Sequence, residues 1–343
     1  MLMLMTNSFL SCDWGTSQFR LRLVAGPDAR VLGEVRSDDG VGRLVSAAAD
    51  ESRAEVFRST LAAKISALAQ EQAHMPKARP VVISGMASST IGWTELPYAT
   101  LPFKLDGSDM IWKDLGLLRV NKGSYQVILL SGIRGEEEIM RGEETQVVGL
   151  TRTKAGRLLQ EETIVVLPGT HSKHVHVQGG RIVDFETYLT GECFEMLSRH
   201  SVLKHSVTPP QTADSQATVL AGPGRDAFEA GVKAAGSAPL LRQLFRVRTR
   251  QVLRGCSQEE NRAFLSGLLI GAEISGLLGR CAGSVPVILC AGELLSKPYE
   301  IAWQMLGAKE RLQVLSCTEV ERLCVLGHAV VLDHMKLRGS DHV

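Results

Sequence analysis

The chain has 343 residues, 44% of them hydrophobic and 22% charged, and its 38 Lys plus Arg almost cancel 37 Asp plus Glu. That balance excludes a disordered chain and leaves no basic field to draw in nucleic acid or an anionic membrane, so neither is expected as a partner. The length suits two domains with a ligand cleft between them. The 7 cysteines, with no paired short spacing, read as free thiols in a reducing, cytoplasmic setting rather than as a disulfide or zinc framework.

In chain order, MLMLMTNSFLSC has no basic residue before its apolar stretch, which contains Thr6, Asn7 and Ser8, so it reads as the approach to a first strand rather than an export signal. Phe9 to Cys12 enters a turn at Asp13, and Gln18 to Leu23 alternates polar and apolar, which predicts a hairpin with one buried face. Val31 to Val35 supplies a third strand, Ala54 to Leu68 has the spacing of an amphipathic helix, and Pro80 to Ser84 is a buried strand that delivers a loop at Gly85. Ile91 to Lys122 is rich in turn formers and without period, which predicts loops covering a site. A strand at Gln126 to Leu130 completes this α/β half, and a helix from Glu143 to about Arg152 opens the next.

Strand signals then restart. Thr163 to Leu167 leads to a turn at Pro168-Gly169-Thr170 and a hairpin closed by Gly179-Gly180. Helices are expected at Ala227 to Ala235, Glu259 to Cys281, Leu294 to Leu306 and Glu319 to Met335, with a strand at Val285 to Leu289. Pro209-Pro210 and Gly222-Pro223-Gly224 read as linkers. The longest apolar helix, Phe264 to Leu278, carries Glu273 at mid-length and is too short to span a bilayer. Its Ser266, Gly267, Gly271 and Ala272 let another backbone approach closely, which makes it a packing helix. Two halves are predicted, 1–142 and 143–343, each built as strand, Gly-Thr turn, strand, strand, helix.

The duplicated turn carries the chemistry. Small residues at Gly15-Thr16-Ser17 expose successive amides that cradle phosphate oxygens, and Asp13 at the strand end can hold a hydrated Mg2+ beside them. Gly169-Thr170 repeats the element, with His171 and Lys173 close enough to add phosphate contacts. The histidines raise a metal question. Pairing across Gly179-Gly180 sets Lys173 opposite Glu186 and Val175 opposite Asp184, so His174 and His176 face away from those carboxylates and no shared zinc site is expected.

Several stretches, spanning nearly the whole chain in order, carry a resemblance. They are Asp13-Trp14-Gly15-Thr16-Ser17 with Arg20, Gly40-Val41 with Arg43, Gly85-Met86 with Gly92-Trp93 and Pro97-Tyr98, and Arg141-Gly142-Glu143-Glu144-Thr145-Gln146. Pro168-Gly169-Thr170-His171 with Lys173, Thr190-Gly191-Glu192 and the run Phe264 to Glu273 follow. On these residues the chain resembles the 2-dehydro-3-deoxygalactonokinase family, within the actin, hexokinase and heat-shock ATPase superfamily. The resemblance implies an α/β, two-lobed, actin-like (ribonuclease H-like) fold, with ATP and Mg2+ as cofactors and a small sugar acid as partner. The implied reaction is transfer of the ATP γ-phosphoryl group to the 6-hydroxyl of 2-dehydro-3-deoxygalactonate.

That reaction assigns roles. Asp13 and the pair Glu143 and Glu144 are the catalytic candidates, where related sugar kinases carry Asp after Gly rather than Glu. Gly15, Thr16, Ser17, Gly169, Thr170, His171 and Lys173 would face ATP phosphates, and Gly292, in the turn Ala291-Gly292-Glu293, the adenosine. Arg20, Arg43 and Arg141 are candidates for the substrate carboxylate. Gly40, Val41, Ser88, Ser89 and Trp93 would line the sugar pocket, Trp93 being equally at home in a core. A kinase for another ketodeoxy acid or an amino sugar, and a non-catalytic sugar sensor, are the alternatives; a sensor would usually carry a DNA-binding helix-turn-helix before the first phosphate turn.

Overall fold

The computed structural model describes residues 8–47, 53–72, 78–208, 220–281 and 283–340. Contacts divide the chain into two units, Met1–Gln160 with Gln178–Asp184 and Arg322–Val343, and Glu161–Val177 with Phe185–Glu321. The division thus falls after residue 160 rather than after 142, and the last helix joins the first unit.

The first unit is built on β1 (Ser8–Trp14), β2 (Phe19–Ala25), β3 (Arg30–Ser37), β4 (Ala78–Gly85), β7 (Trp112–Val120) and β8 (Gly123–Leu130). Their order is β3-β2-β1-β4-β8-β7: an antiparallel meander β1-β2-β3, then β4 and β8 parallel to β1, and β7 antiparallel at the edge. Period two puts Leu10, Cys12, Trp14, Val81 and Ile83 on one face, where α2 (Arg53–Glu71) buries Phe57, Leu61, Ile65 and Leu68 against them. The short α1 (Val41–Ala47) follows β3. Of the turn-rich region Ile91 to Lys122, β7 departs from the expected loop. Only Leu118 and Val120 are buried, and an irregularity between Asp114 and Leu117, with Gly116 at φ +83°, breaks the alternation that would announce a strand.

Short pairings complete this unit. β5 (Ala99–Thr100), β9 (Ile133–Arg134) and β10 (Ile139–Met140) form a small sheet. β6 (Phe103–Lys104) pairs with Arg181 and Ile182, the first residues of β13 (Arg181–Tyr188). α3 (Glu143–Leu150) and the C-terminal α10 (Cys317–Ser340) follow their predicted positions.

The second unit repeats the first sheet's order. β11 (Thr163–Leu167), β12 (Ser172–Gln178), β13, β14 (Val287–Leu289) and β15 (Leu312–Val314) run β13-β12-β11-β14-β15, with β11 and β12 antiparallel and β14 and β15 parallel to β11. Gly179 and Gly180, both at positive φ, close the β12-β13 hairpin as predicted. Helices α4 (Thr190–His200), α5 (Pro223–Ala235), α6 (Leu240–Leu244), α7 (Arg246–Arg254), α8 (Gln258–Leu278) and α9 (Glu293–Met305) surround it.

Gly222-Pro223-Gly224 is a helix start rather than a linker, because Pro at the first helical position loses no hydrogen bond. Pro209-Pro210 lies outside the described residues. α8 opens with a capping box, Ser257 with Glu260. As expected, its small residues admit a neighbouring backbone: a Cβ on Gly267 would stand 2.1 Å from the Phe228 carbonyl oxygen of α5. All seven cysteines are free thiols, and no helix among the described residues is long and apolar enough to cross a membrane.

Candidate active site

In the first unit three strand ends bring the predicted residues together. Asp13 and Trp14 close β1, in register with Ser84 and Gly85 of β4, and Asp13 pairs across the hairpin with Arg20. The Asp13 carboxyl is half-buried, and desolvation raises it above the ordinary range against the lowering pull of Arg20 and Arg22. The turn beyond it is closed by the Gly15 amide donating to the Gln18 carbonyl at 2.9 Å. Thr16 and Ser17 are exposed, and their amides donate to no described residue.

Gly40 and Val41 have a different task from the expected sugar contact. The Val41 amide donates to the Gly15 carbonyl at 3.0 Å and the Gly42 amide to that of Thr16 at 3.0 Å, while a Cβ on Gly40 would stand 2.3 Å from the Thr16 oxygen. They brace the Gly15-Thr16 turn through backbone. Trp93 also departs from the sugar pocket: it is 7% exposed and packs on Phe57 and Trp14 in the core. Arg43 stays on the surface, 68% exposed, with Asp39 at 3.9 Å.

Arg141 is held from several sides. Its guanidinium lies 4.1 Å above the Tyr98 ring, Nη1 donates to Ser88 Oγ at 2.6 Å, Nη2 donates to the Leu96 carbonyl at 3.3 Å, and Nε is buried without a partner. Ser88 and Ser89 are both buried; Ser89 Oγ donates to the Met86 carbonyl at 2.8 Å, and Ser88 Oγ accepts from Arg141, so that it backs the guanidinium. Tyr98 and the Leu96 carbonyl were missed from sequence, although Pro97-Tyr98 lies in a matching stretch.

Gly142, at φ +115°, sits against Gly85, where a Cβ would be 3.3 Å from the Gly85 Cα. This contact sets the start of α3 beside the end of β4. The two glutamates there part ways. Glu143 Oε2 accepts from the Arg141 amide at 3.1 Å and its side chain is partly exposed. Glu144 is fully buried, accepting from the Gly142 amide at 2.7 Å and Thr145 Oγ1 at 3.0 Å. Burial, with the Glu143 charge adding, pushes its carboxyl up to about 8. Glu144 is thus closed off from solvent, whereas Asp13 and Glu143 are partly exposed.

In the second unit the turn Pro168–His171 is open: a Cβ on Gly169 would meet nothing within 4 Å. The start of α4 closes on its far side. The Glu192 amide donates to the Thr170 carbonyl at 3.0 Å, His171 Nε2 pairs with Glu192 Oε2 at 2.5 Å, and a Cβ on Gly191 would stand 2.5 Å from the Gly169 oxygen. Lys173 departs from the expected phosphate contact, being 5% exposed with Nζ donating to Thr187 Oγ1 at 2.8 Å. Gly292 caps α9 beside open space.

The pairing that would turn His174 away from the β13 carboxylates is not what the structure shows: its ring lies 4.5 Å from that of Tyr188, whose Oη donates to Glu186 Oε2 at 3.3 Å, and its Nε2 lies 2.8 Å from Glu273 Oε1 of α8. The helix read as packing alone therefore also delivers a buried acid. A glutamate in the middle of an apolar helix was the available signal. Among the described residues no group of three or more His, Cys, Asp or Glu is arranged to hold a metal ion, so any divalent cation would be held by single carboxylates with phosphate oxygens and water, the usual habit of Mg2+.

Two sheets of the same mixed order, each with a Gly-Thr turn after its first strand, define an actin-like, ribonuclease H-like ATPase fold of the sugar-kinase class. The family model described as 2-keto-3-deoxy-galactonokinase matches residues 13–321. A Rhizobium meliloti protein named as a probable 2-dehydro-3-deoxygalactonokinase is 34% identical over 309 residues, 88% of this chain and 91% of its own. The Escherichia coli 2-dehydro-3-deoxygalactonokinase is 32% identical over 312 residues, with the same coverage of 88% and 91%. The crystal structure of a Sinorhizobium meliloti protein named for this activity superimposes with a TM-score of 0.74 at 30% identity, covering 94% of this chain and 97% of that one. The chain belongs to the 2-keto-3-deoxy-galactonokinase family.

Proposed function

We propose that the chain transfers the γ-phosphoryl group of ATP to the 6-hydroxyl of 2-dehydro-3-deoxygalactonate, giving 2-dehydro-3-deoxy-6-phosphogalactonate, in the cytoplasm. The observation that carries this reading is the end of the first sheet, where Asp13, the unbonded amides of Thr16 and Ser17, and the start of α3 with Arg141 and Glu143 converge.

Each group has a task. The Thr16 and Ser17 amides and hydroxyls, and the open Gly169-Thr170 turn of the second unit, bind phosphate oxygens. The open surface at Gly292 takes the adenosine. Arg141, stacked on Tyr98 and backed by Ser88, presents its remaining donors to the substrate carboxylate. One carboxylate beside a phosphate cradle fits a hydrated Mg2+, so Asp13 would hold it, and the ion would supply charge neutralisation on the β- and γ-phosphates. Glu143, partly exposed, orients the acceptor hydroxyl and takes its proton. Arg20, cross-strand from Asp13, opposes the desolvation that raises that carboxyl.

An ADP-release assay over a panel of sugar acids and amino sugars tests the reading. Turnover is expected with 2-dehydro-3-deoxygalactonate, and Asp13→Asn should fold normally but lose about three orders of magnitude in kcat. Phosphorylation of another ketodeoxy acid in preference would reassign the acceptor, and sugar-acid binding without ATP turnover would make the protein a sensor.

A further inference from the structure

Glu273 is enclosed in the second unit, its side chain 1% exposed. Its two oxygens take four donors: Ser172 Oγ at 2.7 Å and His174 Nε2 at 2.8 Å on Oε1, Thr190 Oγ1 and Tyr299 Oη on Oε2, the last at 2.8 Å. A carboxylate offers about four acceptor positions, so its capacity is filled. Burial alone raises the carboxyl, but hydrogen bonds from His174, Thr190 and Ser172 and the His174 charge more than offset it, leaving Glu273 below the usual carboxylate range.

The donors come from the segments that flank the two open turns of this unit. Ser172 and His174 open β12 directly after Pro168–His171. Thr190 opens α4, whose next two residues close on Gly169 and Thr170. Tyr299 lies in α9, which starts immediately after Gly292. An apolar side chain at 273 would fill the space at lower desolvation cost, but it would tie none of these segments to another. The hydroxyls of Ser172, Thr190 and Tyr299 are held by the same two oxygens, so a shift of one segment breaks a bond within a buried network.

We propose that Glu273 is the positioning residue of the nucleotide-binding half of the active site, fixing where the Gly169-Thr170 turn and the Gly292 turn stand relative to each other and thereby how tightly ATP is held. This rests on the kinase reading above. Glu273 touches no substrate; it acts through Ser172, Thr190 and Tyr299.

The test is a split between the two substrates. In Glu273→Gln one half of the carboxylate becomes a donor and meets donors, so KM for ATP and Kd for a non-hydrolysable ATP analogue should rise about tenfold, as for a lost bond to a charged group, with KM for the sugar acid within about twofold of wild type. Thr190→Val removes one donor and should weaken the ATP analogue in the same direction, whereas Thr190→Ser, which keeps the hydroxyl, should restore it; this pair decides the matter if Glu273→Gln does not fold. Variants that lose thermal stability yet bind the analogue like wild type, or that raise both KM values equally, overturn the proposal. A wild-type protein that binds no ATP analogue and releases no ADP would instead overturn the kinase reading itself.

Discussion

Glu143 and Glu144 show how adjacent, chemically identical residues acquire different roles. Glu144 is buried with two hydrogen bonds, and its carboxyl is pushed from 4.5 up to about 8. Between those values the folded protein keeps a proton that the unfolded chain has released, so the stabilising contribution present below 4.5 is lost as pH rises through about 8. Glu144→Gln carries no titrating proton. The melting temperature of wild type should therefore fall by several degrees from about pH 5 to pH 8, and that of Glu144→Gln should change by less than half as much; equal slopes in a thermal melt series would show that Glu144 does not titrate there. Gly169 provides a complementary test of the phosphate turn. Added methyl volume meets no protein atom within 4 Å, so Gly169→Ala should melt like wild type while KM for ATP rises about tenfold or more if phosphate lies against the backbone.

Which site residues could be read from sequence follows from how local their signals are. Asp13, Gly15-Thr16 and Gly169-Thr170 announce themselves because strand, turn and small residues are contiguous, and the structure keeps those turns. Lys173 reads as a phosphate contact from its place after the turn, but proximity in sequence says nothing about Thr187, to which its ammonium donates. Ser88, Gly40 and Trp93 lie next to the site but serve Arg141, the turn and the core respectively, and those partners are distant in sequence. Glu273 was visible as an oddity in an apolar helix, but its four donors are scattered over residues 172–299.

At the level of elements, α3 is placed by a glycine contact with α10. A Cβ on Gly149 would stand 2.0 Å from the Leu323 carbonyl oxygen, and one on Gly327 would stand 2.0 Å from that of Thr145. Backbone cannot yield as a flexible side chain can, so Gly327→Ala must push the helices apart, at a cost of about 1–3 kcal/mol or more. It should lower the melting temperature markedly and reduce kcat through displacement of Glu143, whereas Gly236→Ala, with nothing within 4 Å of its Cβ, should be near neutral. Elements with a clean period, such as α2, β11 and α8, were legible from sequence. β7 was hidden by its exposed edge and irregular register, and α4 by having Ser198 as its one fully buried residue, with Cys193, Phe194 and Leu197 only half-buried against the core.

Across the whole molecule the two similar halves were legible because each copy starts with the same strand-turn-strand sequence, whereas the order of strands in each sheet was not. Nor was the path of the chain. Each unit takes its residues from separated segments, so the predicted cut at 142 does not match the contact pattern. α10 contributes to the first unit's buried interior: His328 Nδ1 lies 2.8 Å from Ser11 Oγ, and Cys324 Sγ lies 3.5 Å from Ser84 Oγ. Burial pushes the His328 imidazole down to about 3, so it sits there neutral. Deleting residues 322–343 uncovers the β1 and β4 face that carries Asp13, and the shortened chain should lose cooperative unfolding by circular dichroism and all ADP release.

The close fit of Gly149 and Gly327 also sets an order of events during synthesis. The first strand is made well before the helix that covers its polar face, His328 lying 317 residues beyond Ser11, so the interior around Ser11 and Ser84 cannot close until α10 has been made. The strand end that carries Asp13 therefore stays without its cover until α10 follows, and its assembly is coupled to synthesis of that distant helix.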